Sequence, residues 1–376
     1  MAEQQAASTN TIFKVDIVVI GAGQAGLSSA YHLGRLGLAV GRQFLVLDRN
    51  PTPGGAWQHR WPSLTLSTVN RLHDLPGMQF SEAVDTSSGE ARASVAVPEY
   101  FAAYERKFEL PVYRPVTVKV VCERSGRLRI ETDREMFSAR GIINATGTWE
   151  TPVIPDYPGA AQFTGRQLHS HDYRTPDEFA GQHVIVVGGG ISALQHLDEI
   201  SKVAGTTWVT RHEPRFRDTP FVQEDGRAAV AMVEDRVRRG LVPGSVVSVT
   251  GIPLTPALRA ARERGVLKRL PMFSEITEDG VLWPDGSMQK ADVILWATGF
   301  RSSLDHLAPL QLREDNGGIV MTGRLATEVK KDPRIHLVGY GPSASTIGAN
   351  RAGGAAAREL AAHLGLIWAR SYWRRR

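Results

Sequence analysis

Two stretches of the chain repeat one order of apolar run, glycine turn and amphipathic helix. The first, KVDIVVIGAGQAGLSSAYHLGRLG, starts near residue 15. It predicts a strand from Val15 to Ile20 and a helix whose apolar positions include Leu27, Ala30, Tyr31 and Leu33. The second, HVIVVGGGISALQHLDEISKV, starts near residue 183 and is built the same way. Further strands are predicted at FLVLD, TTWVTRHE, VILWATGF and IHLVGYG, and the Ala-rich stretch from Ala349 to Ala369 predicts a closing helix. Between the two units the proline-rich WETPVIPDYPG resists both helix and central strand, and marks a domain boundary. The pattern predicts an α/β fold of two Rossmann-type dinucleotide-binding domains, one inserted into the other. Residues 161–296 form the insert, and 11–160 with 297–370 form the two parts of the host.

The turns carry the first chemistry. In Gly21-Ala22-Gly23-Gln24-Ala25-Gly26 the first glycine permits a tight turn, the second admits a pyrophosphate to the backbone and the third lets helix pack on strand. The helix start offers unpaired N–H groups to phosphate oxygens. Asp48 ends the next strand, 22 residues past Gly26, where a carboxylate accepts the ribose hydroxyls of an adenosine; Arg49 follows it. The second turn, Gly188-Gly189-Gly190-Ile191-Ser192-Ala193, has alanine in place of the third glycine. Its following strand ends in Thr210 and Arg211 rather than an acid, and a guanidinium beside a hydroxyl suits a 2′-phosphate. That favours NADPH over NADH at the second site, with Gly188, Gly190, Ile191, Ser192 and Ala193 at its pyrophosphate.

Composition narrows the field. The formal charge is +5 and the pI near 9.4, but the largest basic run is Arg374 to Arg376, and no nucleic-acid module accompanies it. A partner nucleic acid is not expected. The single cysteine, Cys122, excludes a dithiol relay. The first ten residues lack a signal-peptide pattern and no window approaches ~20 apolar residues, so no membrane association and a cytoplasmic location are expected. Neither a metal-ligand cluster nor a Ser-His-Asp arrangement stands out, and HSHDY does not have zinc spacing. The oligomeric state stays open, a homodimer included.

Read together with the turns, several segments resemble the flavin-containing monooxygenase family and its short bacterial and YUCCA-like relatives, over Val15 to about Gly354. Pro53-Gly54-Gly55-Ala56-Trp57 is similar to the family's GGxW element, and the resemblance implies that Gly55, Ala56 and Trp57 lie beside a flavin. Phe163, Gly165, His169 and Tyr173 fit the FxGxxxHxxxY signature at every defined position. Arg174 and Thr175 follow it, unlike the ending usual in Baeyer-Villiger relatives, which points to the heteroatom-oxidising branch. His169 is read as a residue that links domains and positions cofactor, not as a general base. Two ATG turns, one with Thr146 and Gly147 and one with Ala297, Thr298 and Gly299, resemble the points where the chain crosses between domains. The segment from Arg334 to Gly354 resembles the closing flavin loop, with Gly339, Ser345 and Thr346 near the cofactor.

The resemblance implies FAD in the host domain, NADPH in the insert, and a monooxygenase that transfers one oxygen of O2 from a C4a-hydroperoxyflavin to a sulfide or amine of a small organic substrate. Two alternatives share the scaffold: a Baeyer-Villiger ketone oxygenase, and an uncoupled NADPH oxidase or flavin reductase. The second gains weight from one departure. Where the family commonly carries Asn in an LxTN-like motif, this chain has Ser67, with Asn70 three residues on, and these two are the candidate catalytic residues. Aromatic residues such as Phe221, Trp283 and Trp61 are candidate pocket walls that would serve equally in a core.

Overall fold

The computed structural model describes residues 12–69, 72–87, 89–218, 223–244 and 251–367. The chain opens with β1 (Ile12–Ile20), α1 (Gln24–Arg35), β2 (Phe44–Leu47), α2 (Ala93–Lys107) and β3 (Val112–Tyr113), followed by β4 (Val118–Arg124), β5 (Arg127–Thr132) and β6 (Met136–Asn144). It then builds β7 (Arg166–His169), β8 (His183–Val187), α3 (Ile191–Ile200), β9 (Gly205–Val209), α4 (Gln223–Arg238), α5 (Pro256–Glu263), β10 (Arg269–Leu270) and β11 (Val293–Trp296). The return consists of β12 (Met321–Thr322), β13 (Glu328–Val329), β14 (Asp332–Leu337) and α6 (Thr346–His363).

Two large sheets result, beside a three-stranded and a two-stranded one among the described residues. The first runs β12-β13-β14-β6-β1-β2-β3, with the β4–β5 hairpin continuing from β6; the second runs β10-β9-β8-β11-β7. Strands from before residue 145 and after residue 320 share the first sheet, and all five strands of the second lie between 166 and 296, so one α/β domain is inserted into the other. The central strands of both sheets are parallel and apolar on both faces: Ile17 to Ile20, Phe44 to Leu47, Val184 to Val187 and Val293 to Trp296 are all buried. Register then sets the sites. Ile20 pairs with Leu47 and Asn144, and Leu337 pairs with Asn144, so four strands end together at one edge. In the second sheet Trp296 pairs with Val187 and His169, and Val187 with Val209, so four more end together. Ligands of doubly wound sheets sit beyond such carboxyl ends.

Two features depart from a simple division of the chain. Helix α4 falls within the inserted stretch, yet its Val237 is buried in the core of the first sheet beside Leu304, Ile319 and Tyr340. Conversely, Trp61 and Leu64 of the host domain pack into the core of the second sheet with Tyr173, Leu194 and Leu197. Trp61 is thus a core residue, not a pocket wall, and Trp283 packs beside Phe273 on the far face of the second sheet; Phe221 lies outside the described residues. The closing helix runs Thr346–His363 rather than 349–369. It lies on α1, where a Cβ at Gly353 would come within 3 Å of Ser28 and Ser29, so only glycine permits that approach.

Several imidazoles are buried without charge. Burial pushes His196 and His336 down to about 3, and His306 down to about 4. An unfolded chain takes up these protons near pH 6.5, whereas the folded one does not until pH 3–4. Their contribution is therefore complete above pH 6.5 and is lost as the pH falls, by about 1.4 kcal/mol per pH unit for each fully buried ring. Urea midpoints should drop clearly between pH 7 and pH 5, and equal midpoints would contradict this account.

Candidate functional site

Each glycine turn is shaped by the ATG turn behind it. A Cβ on Gly21 (φ +100°) would lie 2.6 Å from the carbonyl oxygen of Ala145, and one on Gly188 (φ +150°) 2.2 Å from that of Ala297. A Cβ on Gly26 would lie 1.8 Å from the Gly21 oxygen, whereas the equivalent Ala193 accommodates its methyl in a buried position. Gly23 and Gly190 are different. Both have ordinary extended backbone, and an added Cβ would meet nothing within 4 Å. No protein contact asks for glycine there. Both residues are helix N-caps with no side-chain cap and no acid in the first turn, so the N–H groups of α1 and α3 stay open. Open space before an uncapped helix fits a pyrophosphate at each turn.

Around the first turn, Asp48 is buried; its Oδ2 accepts the Ala22 N–H at 2.6 Å and its Oδ1 the Asn50 N–H at 2.9 Å. The carboxylate thereby holds the turn and keeps lone pairs for a ribose. Gln24 bridges His73 and Asn350, and Arg49 pairs with Glu150 at 2.7 Å. Gly55 packs on Gly23, its would-be Cβ 2.9 Å from the Gly23 Cα, so Ala56 and Trp57 are carried to the same edge. Gly339 follows β14 beside Ala25. Ser345 caps α6 by accepting the Gly348 N–H, and the Thr346 hydroxyl meets His73 Nδ1 at 2.8 Å.

At the second site the hydroxyl expected to meet a phosphate is already engaged. Thr210 is buried; its hydroxyl donates to the His212 carbonyl at 2.7 Å and accepts from Arg269 Nε at 2.8 Å, while Arg269 Nη2 donates to the Thr210 carbonyl at 3.1 Å. Thr210 therefore anchors a second arginine beside the exposed Arg211. Sequence reasoning missed Arg269 because it lies 59 residues downstream; pairing of β10 with β9 brings it there.

The two crossings between domains are zipped together. Val153 N–H donates to the Gly299 carbonyl, Arg301 N–H to Thr151 and Ser303 N–H to Gly147, at 2.8–3.0 Å. Thr146 donates to the Ser303 carbonyl at 2.7 Å, and Thr298 donates to the Val153 carbonyl. Trp149, beyond the first ATG turn, stacks on Phe300, beyond the second, with centroids 5.3 Å apart.

The signature segment serves this junction. His169 is buried, its Nδ1 accepts the His171 N–H at 3.0 Å, and its ring meets Phe300 edge-on at 4.9 Å. Burial lowers its pKa, so the neutral ring has spent its one acceptor nitrogen. Tyr173 donates to Glu199 Oε2 on α3 at 2.7 Å, and Ser63 of the host domain donates to the same oxygen at 2.8 Å. Ser67 is exposed and its hydroxyl lies 2.8 Å from that of Thr65; Asn70 lies outside the described residues. Among the described residues no cluster of His, Cys, Asp and Glu is suited to a metal, and no helix is long and apolar enough to cross a membrane.

This architecture has clear relatives. Residues 18–229 match the family model described as pyridine nucleotide-disulphide oxidoreductase. Over 94% of this chain and 99% of the other, the fold superposes on a mutant of a flavin monooxygenase from Stenotrophomonas maltophilia, with 37% identity and a TM-score of 0.79. The chain belongs to the flavin monooxygenase family. It is 29% identical to an uncharacterized oxidoreductase, CzcO, of Bacillus velezensis over 77% of this chain and 82% of that protein. It is also 28% identical to an indole-3-pyruvate monooxygenase, YUCCA1, of Oryza sativa subsp. japonica over 76% and 77%. The protein is accordingly a flavin-dependent monooxygenase whose cofactors are FAD and NADPH. Cys122 is the chain's one cysteine, so the dithiol pair that the broader family's description suggests cannot form within it.

The glycine geometry separates ligand from fold. Gly23→Ala and Gly190→Ala should keep the melting temperature of the parent protein without ligand but weaken FAD and NADPH binding respectively by about tenfold or more. Gly26→Ala should instead destabilise the fold by about 1–3 kcal/mol. Thermal melts with FAD and NADPH titrations test both; unaltered affinities in the first two variants would remove the pyrophosphates from these turns.

Proposed function

We propose that this monooxygenase inserts oxygen into a sulfide or amine of a small organic substrate, with FAD on the Gly21 turn and NADPH on the Gly188 turn. When bound, FAD accepts a hydride from NADPH and activates O2. The observation that carries the reading is the zipped crossing, which ties the two turn-bearing edges together and gathers Trp57, Trp149 and Phe300 beside it. The chain's own part is positioning and exclusion of water. His169 is not a base there, because its Nδ1 already accepts the His171 N–H. Oxygen transfer to the lone pair of a sulfide or of an unprotonated amine needs no base, because no proton must first be removed.

A second reading is favoured by Ser67. Its exposed hydroxyl is tied to the local Thr65 turn, so it offers less support to activated oxygen than a buried amide would. Part of the NADPH consumed should therefore appear as hydrogen peroxide. With thioether, amine and ketone acceptors, oxygenated thioether or amine is expected alongside a peroxide fraction. Lactone or ester from the ketones alone would favour Baeyer-Villiger chemistry, and peroxide equal to NADPH with every acceptor would overturn oxygen transfer.

The second nucleotide site reads its ligand through two guanidinium groups, Arg269 held by Thr210 and Arg211 beside it. A pre-oriented Arg loses little freedom on pairing with a phosphate, and two cations repay a dianion better than one. Arg269→Ala and Arg211→Ala should each weaken 2′,5′-ADP binding by about tenfold while leaving 5′-AMP binding within about twofold. Calorimetry with both nucleotides measures this, and equal losses for the two would take Arg269 away from the 2′-phosphate.

A further inference from the structure

Arg60 ends the short helix Gly55–His59 that follows the GGAW turn. Its guanidinium carbon lies 4.5 Å from the ring centre of Trp149 and 5.8 Å from that of Trp57. Among the described residues, no carboxylate, carbonyl or hydroxyl forms a hydrogen bond or ion pair with it, yet none of its nitrogens is sealed from solvent. Neighbouring cations are satisfied otherwise: Arg49 pairs with Glu150, and Arg174 donates to the carbonyls of His171 and Tyr173. Desolvation alone, with no nearby anion opposing it, lowers the Arg60 pKa to about 10, and its charge in turn helps keep His196 neutral. A half-buried arginine with open N–H groups and no anionic partner among the described residues is suited to an anion, because the faces of two indoles offset only part of its lost hydration.

The position of Arg60 says where that anion comes from. Each cofactor pyrophosphate has its own uncapped helix start, at Gly23 and at Gly190, and the 2′-phosphate has Arg211 and Arg269. Arg60 belongs to none of these. It stands on Trp149, whose ring also meets Phe300 and His171, at the place where the two crossings come together. A planar guanidinium with open N–H groups above an indole matches a carboxylate, which takes two parallel hydrogen bonds.

We propose that Arg60 is the recognition residue for a carboxylate on the oxygen-accepting substrate, so that the preferred substrates are small anionic acids bearing a thioether or amine. The acid end pairs with Arg60 and the intervening carbons lie along Trp149. This rests on the oxygen-transfer reading above, but the binding half can be tested without turnover.

Titration of the FAD-loaded protein with benzoate and with benzamide, followed by the flavin absorbance spectrum, reads binding alone. Benzoate should bind about tenfold or more tightly than benzamide, and Arg60→Gln should bring the two together, with Arg60→Lys intermediate. In turnover, 4-(methylthio)butanoate should show a KM about tenfold below that of its methyl ester, a ratio that falls towards one in Arg60→Gln. The parent protein is decisive even if Arg60→Gln does not fold, since equal affinity for benzoate and benzamide overturns the proposal. So does an Arg60→Gln variant that keeps the preference, or one that loses 2′,5′-ADP binding instead and so assigns Arg60 to the nucleotide. Benzoate selectivity without any oxygenated product would uphold the anion site while refuting the oxygen-transfer reading.

Discussion

The rest of the structure depends on the antiparallel pairing of two short segments, Gly147 to Val153 and Gly299 to Ser303. A domain inserted into another is joined to it by two chain crossings, and two independent linkers would let the domains rotate. Here the crossings hydrogen-bond to each other through backbone and through the hydroxyls of Thr146 and Thr298, and Trp149 stacks on Phe300 over the seam. The same ATG turns supply the carbonyls of Ala145 and Ala297 that crowd Gly21 and Gly188. One device therefore shapes both nucleotide turns and fixes the distance between them, and hydride transfer tolerates little error in that distance.

A second set of contacts holds the junction from the side. Tyr173 and Ser63 converge on one carboxylate oxygen of Glu199, and Trp61 wedges against His196 with ring centres 4.7 Å apart. The signature segment is thus mostly structural. Its tyrosine joins the insert to the loop that follows GGAW, and its histidine closes the turn beneath Phe300. The cost is a buried, uncharged His196 with neither nitrogen hydrogen-bonded among the described residues. A protonated ring there would face Arg60 and His169, so the junction is built to stay neutral inside.

Charge is distributed unequally between the two sites for a physical reason. At the first, a buried carboxylate faces the glycine turn and suits neutral ribose hydroxyls; at the second, two arginines replace it and suit a phosphate. Both helix starts lack a side-chain cap, as does that of α2, whereas α6 and α5 carry Ser345 and Thr255 as caps. Leaving four N–H groups unmet is costly unless a ligand meets them.

Sequence alone determined the two strand-turn-helix units, their order, the single unpaired cysteine and the resemblance that placed flavin chemistry on them. These were legible because they are local: a glycine turn, an apolar strand and a helix start lie within about 15 residues of one another. Gly21 could be named for the same reason, Asp48 from its spacing past Gly26, and Trp57 from the resemblance alone. Tertiary structure decided what depended on residues far apart in the chain. It showed that Thr210 is spent on holding Arg269, that Trp61 is core, that α4 packs against the host domain, and that Arg60 stands on two indoles with no anionic partner among the described residues. Each of these rests on strand pairing or packing across the domain junction. Such contacts leave no periodicity in the sequence, because the partners are brought together by the fold and not by their spacing.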